Sequence, residues 1–100
     1  MTLAEEYFNL LTKEIPGIKT GKMFGALCMK TSNGKSIAIY WEDTVVVKLQ
    51  GDSRKIALML NGVKLFEPIT GRFMSEWVQI PYLHQDVWKD YILKSIYCCS

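Results

Sequence analysis

The sequence predicts an α+β fold: a two-layer sandwich in which an antiparallel five-stranded sheet carries helices mainly on one face, in the order α-β-β-β-α-β-β-α. Three observations predict it. Apolar residues recur at helical spacing near both ends and once in the middle. Between them lie alternating or β-branched runs, and short turn signals separate those runs. Antiparallel hairpins combined with helices on one side give two layers around one core.

Thr2 is placed to cap the first helix, with Glu5 three residues later completing a capping box. Leu3, Tyr7, Leu10 and Leu11 form its expected apolar stripe, and Pro16-Gly17 stops it. The following PGIKTGKMFG resembles a phosphate-cradling loop only superficially. A Walker A loop reads G-x-x-x-x-G-K-[ST], whereas Gly17 and Gly21 are one residue too close and Met23 replaces the hydroxyl. The segment reads instead as a helix stop followed by a strand over 22–30. Met23, Gly25, Leu27 and Met29 alternate there with Phe24, Ala26 and Cys28.

Ser32-Asn33-Gly34-Lys35 predicts a hairpin, because Asn-Gly tolerates the positive φ angles of a type I′ turn. The returning strand spans 35–41, Glu42-Asp43 offers a second tight turn, and the β-branched run at 44–49 is the third strand. Asp52 or Ser53 is the expected cap of a second helix with Ile56, Met59 and Leu60 as its stripe and Asn61-Gly62 as its stop. Strands follow at 63–69 and 73–80, joined by a turn at Thr70-Gly71-Arg72. Pro81 breaks the pattern, and a last helix over 85–97 carries Trp88, Tyr91, Ile92 and Ile96 on one face. There is no linker, repeat or low-complexity stretch, so a single domain is expected over residues 1–100.

Bulk properties narrow the function classes. Of 100 residues, 49% are hydrophobic and 22% charged, which argues against disorder. A net charge of +2, with scattered cations, gives no support for nucleic-acid binding. No apolar run reaches the roughly 18 to 20 residues that span a bilayer, and the start is acidic where a signal peptide would be basic. The chain therefore reads as cytoplasmic, without a membrane partner. Three cysteines, Cys28, Cys98 and Cys99, do not suit a disulfide framework, and Cys98 is too near the terminus for a prenylation box. The Cys98-Cys99 pair reads as a frayed helix end.

No C-x-x-C, H-E-x-x-H or G-x-S-x-G motif occurs. His84 reads as a cap or surface residue, and Glu42-Asp43 as solvated turn acids. No catalytic residue, cofactor site or metal site is assigned, and the chain is expected not to be an enzyme. The informative feature is the sheet face away from the helices, which should be polar if it meets water. Phe24, Ala26, Cys28, Ala38, Tyr40, Val46 and Trp77 are assigned to it, an apolar patch of the kind that marks interaction surfaces. Lys22 and Arg72 are its expected cationic rim, since a cation beside aromatic rings suits cation-π contact and anion recognition.

Gly21-Lys22-Met23-Phe24-Gly25, Asp43-Thr44-Val45-Val46-Val47-Lys48 and Gly71-Arg72-Phe73-Met74-Ser75-Glu76-Trp77-Val78-Gln79-Ile80-Pro81 together resemble the N-terminal domain of the TfoX/Sxy competence regulators. The similarity runs from Leu3 to Tyr97 and covers the first domain of such regulators, not their helical C-terminal domain. It implies a two-layer α+β fold and a regulatory background, the switching-on of DNA-uptake genes alongside a cyclic-AMP-responsive activator. It carries no catalytic residues. The resulting expectation is a small regulatory or protein-interaction module that self-associates as a homodimer through Lys22, Phe24, Tyr40, Val46, Arg72 and Trp77. The alternatives are direct nucleic-acid binding, with affinity that falls as salt rises, and a small-ligand binder or enzyme, which needs a concave site.

Overall fold

A computed structural model describes the backbone of residues 2–23, 25–32, 34–69 and 72–99, and their side chains except those of 23, 68, 69, 72–75 and 97–99. The elements are α1 (Leu3–Glu14), β1 (Lys19–Met23), β2 (Ala26–Lys30), β3 (Ser36–Trp41), β4 (Thr44–Lys48), α2 (Gly51–Leu58), β5 (Lys64–Ile69), β6 (Arg72–Pro81), a 3-10 turn at Tyr82–His84 and α3 (Gln85–Cys99). The α+β class is as expected, with six strands instead of five. The extra strand arises because the alternating run at 22–30 turns back on itself. Met23 pairs with Ala26, and Gly25 sits in the connection at φ 76°, where a side chain would strain the backbone.

All pairings are antiparallel, in the order β1-β2-β3-β4-β6-β5. The hairpin does not close in two residues: the Thr31 N–H donates to the Lys35 carbonyl and the Gly34 N–H to the Thr31 carbonyl, both at 2.9 Å, with Gly34 at φ 86°, while Asn33 lies outside the described residues. Among the described residues, Glu42-Asp43 is a turn with positive φ at both central positions, at 45° and 61°.

Ala4, Phe8, Leu11 and Ile15 from α1, and Trp88, Tyr91 and Ile92 from α3, close over Met29, Ala38, Val45, Val47, Val78 and Ile80 of the sheet. Half of the expected α1 stripe holds, since Leu11 is buried and Tyr7 packs against the core, whereas Leu3 is 70% and Leu10 49% exposed. Ala4, Phe8 and Leu11 also follow helical spacing, and Ile15 at the C-cap continues their stripe, so the buried contact runs the length of the helix. In α2 only Ala57 is fully buried, Ile56 and Met59 face solvent, and Gln50 precedes the helix with no side-chain cap. Of the stripe expected there, Ile56 and Met59 are corrected while Leu60 packs against the core, and the expected cap is corrected as well. The α3 stripe is as expected.

Sequence pattern did not select Ser95, which is fully buried. Its hydroxyl accepts from the Lys48 N–H at 3.0 Å and lies 2.7 Å from the Ile37 carbonyl and 2.8 Å from that of Lys48. Met29 pairs with Ala38 and Lys30 with Ser36, leaving Ile37 as an extra residue in a bulge. Ser95 satisfies backbone groups at the end of β3 and β4 that no ladder partner reaches.

Candidate interaction surface

Of the six residues expected to form an exposed face, Tyr40, Val46 and Trp77 do not do so. Val46 and Trp77 lie away from the helices, but Val46 is fully buried and Trp77 only 8% exposed. Tyr40 is on the helix side instead, its ring 5.8 Å from Phe8. Ala38 is there too. The physical reason is register: Cys28 pairs with Ile39 and Ile39 with Val46, so Ile39 and Trp41 share the second face while Ala38 and Tyr40 point the other way. Lys22 is exposed on β1. Phe24 and the Arg72 side chain lie outside the described residues.

The second face is closed by the sheet itself. Cys28, Ile39, Val46, Phe66 and Trp77 form a second buried cluster, with Ala26 and Trp41 packed against it. Trp41 of β3 and Phe66 of β5 have ring centroids 5.2 Å apart in an edge-to-face contact. On a flat sheet those strands would stand about 14 Å apart, given a spacing of about 4.8 Å per strand. The two register shifts in the β5–β6 pair, between Leu65 and Phe66 and between Phe66 and Ile69, bend the hairpin and bring Phe66 across the sheet.

Two accessible concavities lie on the flank where α1 overlooks β1. One groove of about 410 Å³ is lined by Glu6, Asn9, Leu10, Thr12, Lys13 and Thr20. A second of similar volume, about 410 Å³, involves Glu5, Lys22, Ala26, Tyr40, Trp41 and Glu42. Consecutive residues of α1 and alternate residues of β1 border the two, so they lie end to end. Sequence reasoning selected Lys22 and Tyr40 here, and missed Glu5, Leu10 and Trp41. Leu10 was legible only as one of two competing helical stripes.

Polar contacts fix the wall of the second groove. The Tyr40 hydroxyl donates to Asp43 Oδ1 at 2.6 Å and Thr2 Oγ1 donates to the same oxygen at 2.8 Å. Thr2 Oγ1 also accepts from the Glu5 N–H at 3.2 Å as the α1 cap. These contacts tie the start of α1 to the Glu42-Asp43 turn and hold two non-glycine residues at positive φ. The hydrogen bonds from Tyr40 and Thr2 hold the Asp43 carboxyl below its ordinary value. Burial, then the bond to Asp43, pushes the Tyr40 hydroxyl up. His84 has a structural contact, its Nε2 lying 2.6 Å from the Asn61 carbonyl oxygen, and it lines neither groove.

No protein-family model matches the chain, and no curated protein or solved structure matches it. No helix among the described residues is long and apolar enough to cross a membrane.

Proposed function

We propose that the chain is a small regulatory protein-interaction module, of the kind its resemblance to competence-regulator N-terminal domains implies, and that it binds through the α1–β1 flank. The observation that carries this reading is the free edge of β1 beside two adjoining grooves, with half-exposed Leu10 on their helical wall. The second sheet face, buried by its own curl, is not the docking surface in this reading. A direct nucleic-acid role draws no support from a net charge of +2.

Photo-crosslinking side chains introduced at Leu10 and Lys22 in the intact chain test the reading, with Leu83, 73% exposed and in neither groove, as the control position. Protein adducts are expected at the first two sites and not at the third. Adducts confined to Leu83, adducts of nucleic acid alone, or none at all would overturn it.

A further inference from the structure

We infer that the partner on this flank is a second copy of the chain, joined by antiparallel pairing of β1 with its counterpart about a two-fold axis at Gly21. This rests on the proposed reading of the flank and names its occupant.

Hydrogen-bond parity sets the register. Met23 pairs with Ala26 across a two-residue connection, so Met23, Gly21 and Lys19 exchange hydrogen bonds with β2. The N–H and C=O groups of Thr20 and Lys22 therefore point away from the sheet. Two copies satisfy these groups mutually when Thr20 of one meets Lys22 of the other. Gly21 then faces Gly21 in a non-hydrogen-bonded pair, where the Cα atoms approach to about 4.5 Å and a missing Cβ helps the backbones meet. Centring the pair on Lys22 would set lysine opposite lysine. Centring it between two residues would set outward groups against inward ones.

Charge supports the same symmetry. Glu5 and Glu6 stand in the first turn of α1 and Lys13 in its last, and Glu5 shares a groove with Lys22 whereas Glu6 and Lys13 share the other with Thr20. A two-fold axis at Gly21 sets the Lys13 end of one copy against the Glu6 end of the other, twice over, as a self-complementary surface requires. Leu10, between Glu6 and Lys13 on the same groove wall, adds apolar area at the centre. The opposite edge of the sheet differs. β5 contains Pro68, which has no N–H to donate to an added strand. One unfavourable contact also follows from the pairing. The Lys30 stem lies over Gly21, where a Cβ would stand 2.8 Å from its Cε, so the two Lys30 side chains approach each other on the second face.

Sedimentation velocity from about 1 μM to about 1 mM reads the association constant over the range in which a short interface operates. The wild-type chain is expected to dimerise reversibly. Thr20→Pro removes one outward donor and is expected to weaken dimerisation at least about tenfold, with cooperative melting retained because that N–H is not used by β2. Glu6→Lys and Lys13→Glu are each expected to weaken self-association, and mixing the two variants to restore it as a heterodimer. Lys30→Gln is expected to tighten it. A wild-type chain that stays monomeric throughout, or a dimer indifferent to Thr20→Pro and to both charge variants, overturns the inference. If the Leu10 and Lys22 positions still crosslink to a different protein, the flank reading survives that failure. If they crosslink to no protein, both fall.

Discussion

The two faces of the sheet bury apolar residues by different means. On one, α1 and α3 are laid over β2, β3, β4 and β6 as a separate layer, with Trp88 at the centre. On the other no helix is present in the buried cluster, and five residues are sealed by the curl of the sheet and a bent hairpin. Alternation in a strand states which residues share a side. It does not state what covers that side, and a curled sheet covers its own concave face.

The largest expected effect is on the helix side. Trp88 is fully buried, donates its Nε1–H to the Pro81 carbonyl at 3.1 Å, and has ring contacts at 5.8 Å with Tyr7 and 5.6 Å with Tyr82. Trp88→Ala should destabilise by about 3–5 kcal/mol, measured by urea unfolding. A loss below about 1 kcal/mol would mean that α3 is not the keystone of that layer.

Phe66→Ala is the matching test of the second face. Phe66 is fully buried, yet the element that carries it is an edge strand able to relax toward Trp41. The expected loss is about 3 kcal/mol, at the lower end for such truncations. An open, water-facing patch would instead give a change within about 0.5 kcal/mol, which would restore the idea that this face is free to bind.

Much of this fold was legible in the residues. Asn33-Gly34, the β-branched run at 44–48 and the spacing of Trp88, Tyr91 and Ile92 each located an element. Errors arose where a pattern had two solutions. In α1, Leu3-Tyr7-Leu10-Leu11 and Ala4-Phe8-Leu11-Ile15 both fit helical spacing and share Leu11, and only the packed sheet decides that Leu3 and Leu10 stay outside. Tyr40 was misplaced because its own strand's alternation does not give the pairing. A hairpin built on Asn33-Gly34 already sets Cys28 opposite Ile39, so its true side could have been worked out from sequence. The closure by Phe66 could not, because bulges in β5–β6 are tertiary events. The candidate flank was half visible, through Lys22 and Tyr40, while Glu5 and Leu10 belong to it only because α1 docks where it does.

The helix side also has a polar pin. Ser95→Ala leaves the Lys48 N–H and the Ile37 carbonyl without their partner in a buried setting. The expected cost is about 1–3 kcal/mol, with faster hydrogen exchange at the Lys48 amide. Exchange unchanged at Lys48 would mean that water or a ladder bond takes over, and the pin would be dispensable.

The smallest effect concerns the turn where the two faces meet, since Tyr40 points to one, Trp41 to the other, and Glu42-Asp43 reverses the chain beyond them. Hydrogen bonds from Tyr40 and Thr2 favour the Asp43 carboxylate, so its folded-state pKa lies below the ordinary 3.8. A carboxyl lowered in the fold contributes stability that is fully present above the unfolded value and is lost as pH falls through the folded one. Asp43→Asn should therefore be less stable than wild type near neutrality, and the gap should close as pH drops below 3.8. Tyr40→Phe removes one of the two donors, so the acid loss should be smaller than in wild type and complete at a higher pH. Urea midpoints from about pH 7 to about pH 2 measure both. A wild-type-minus-Asn gap that stays constant through the acid range would show that the Asp43 carboxylate does not hold the α1 cap to the turn, and that packing of Phe8 on Tyr40 positions the groove wall without it.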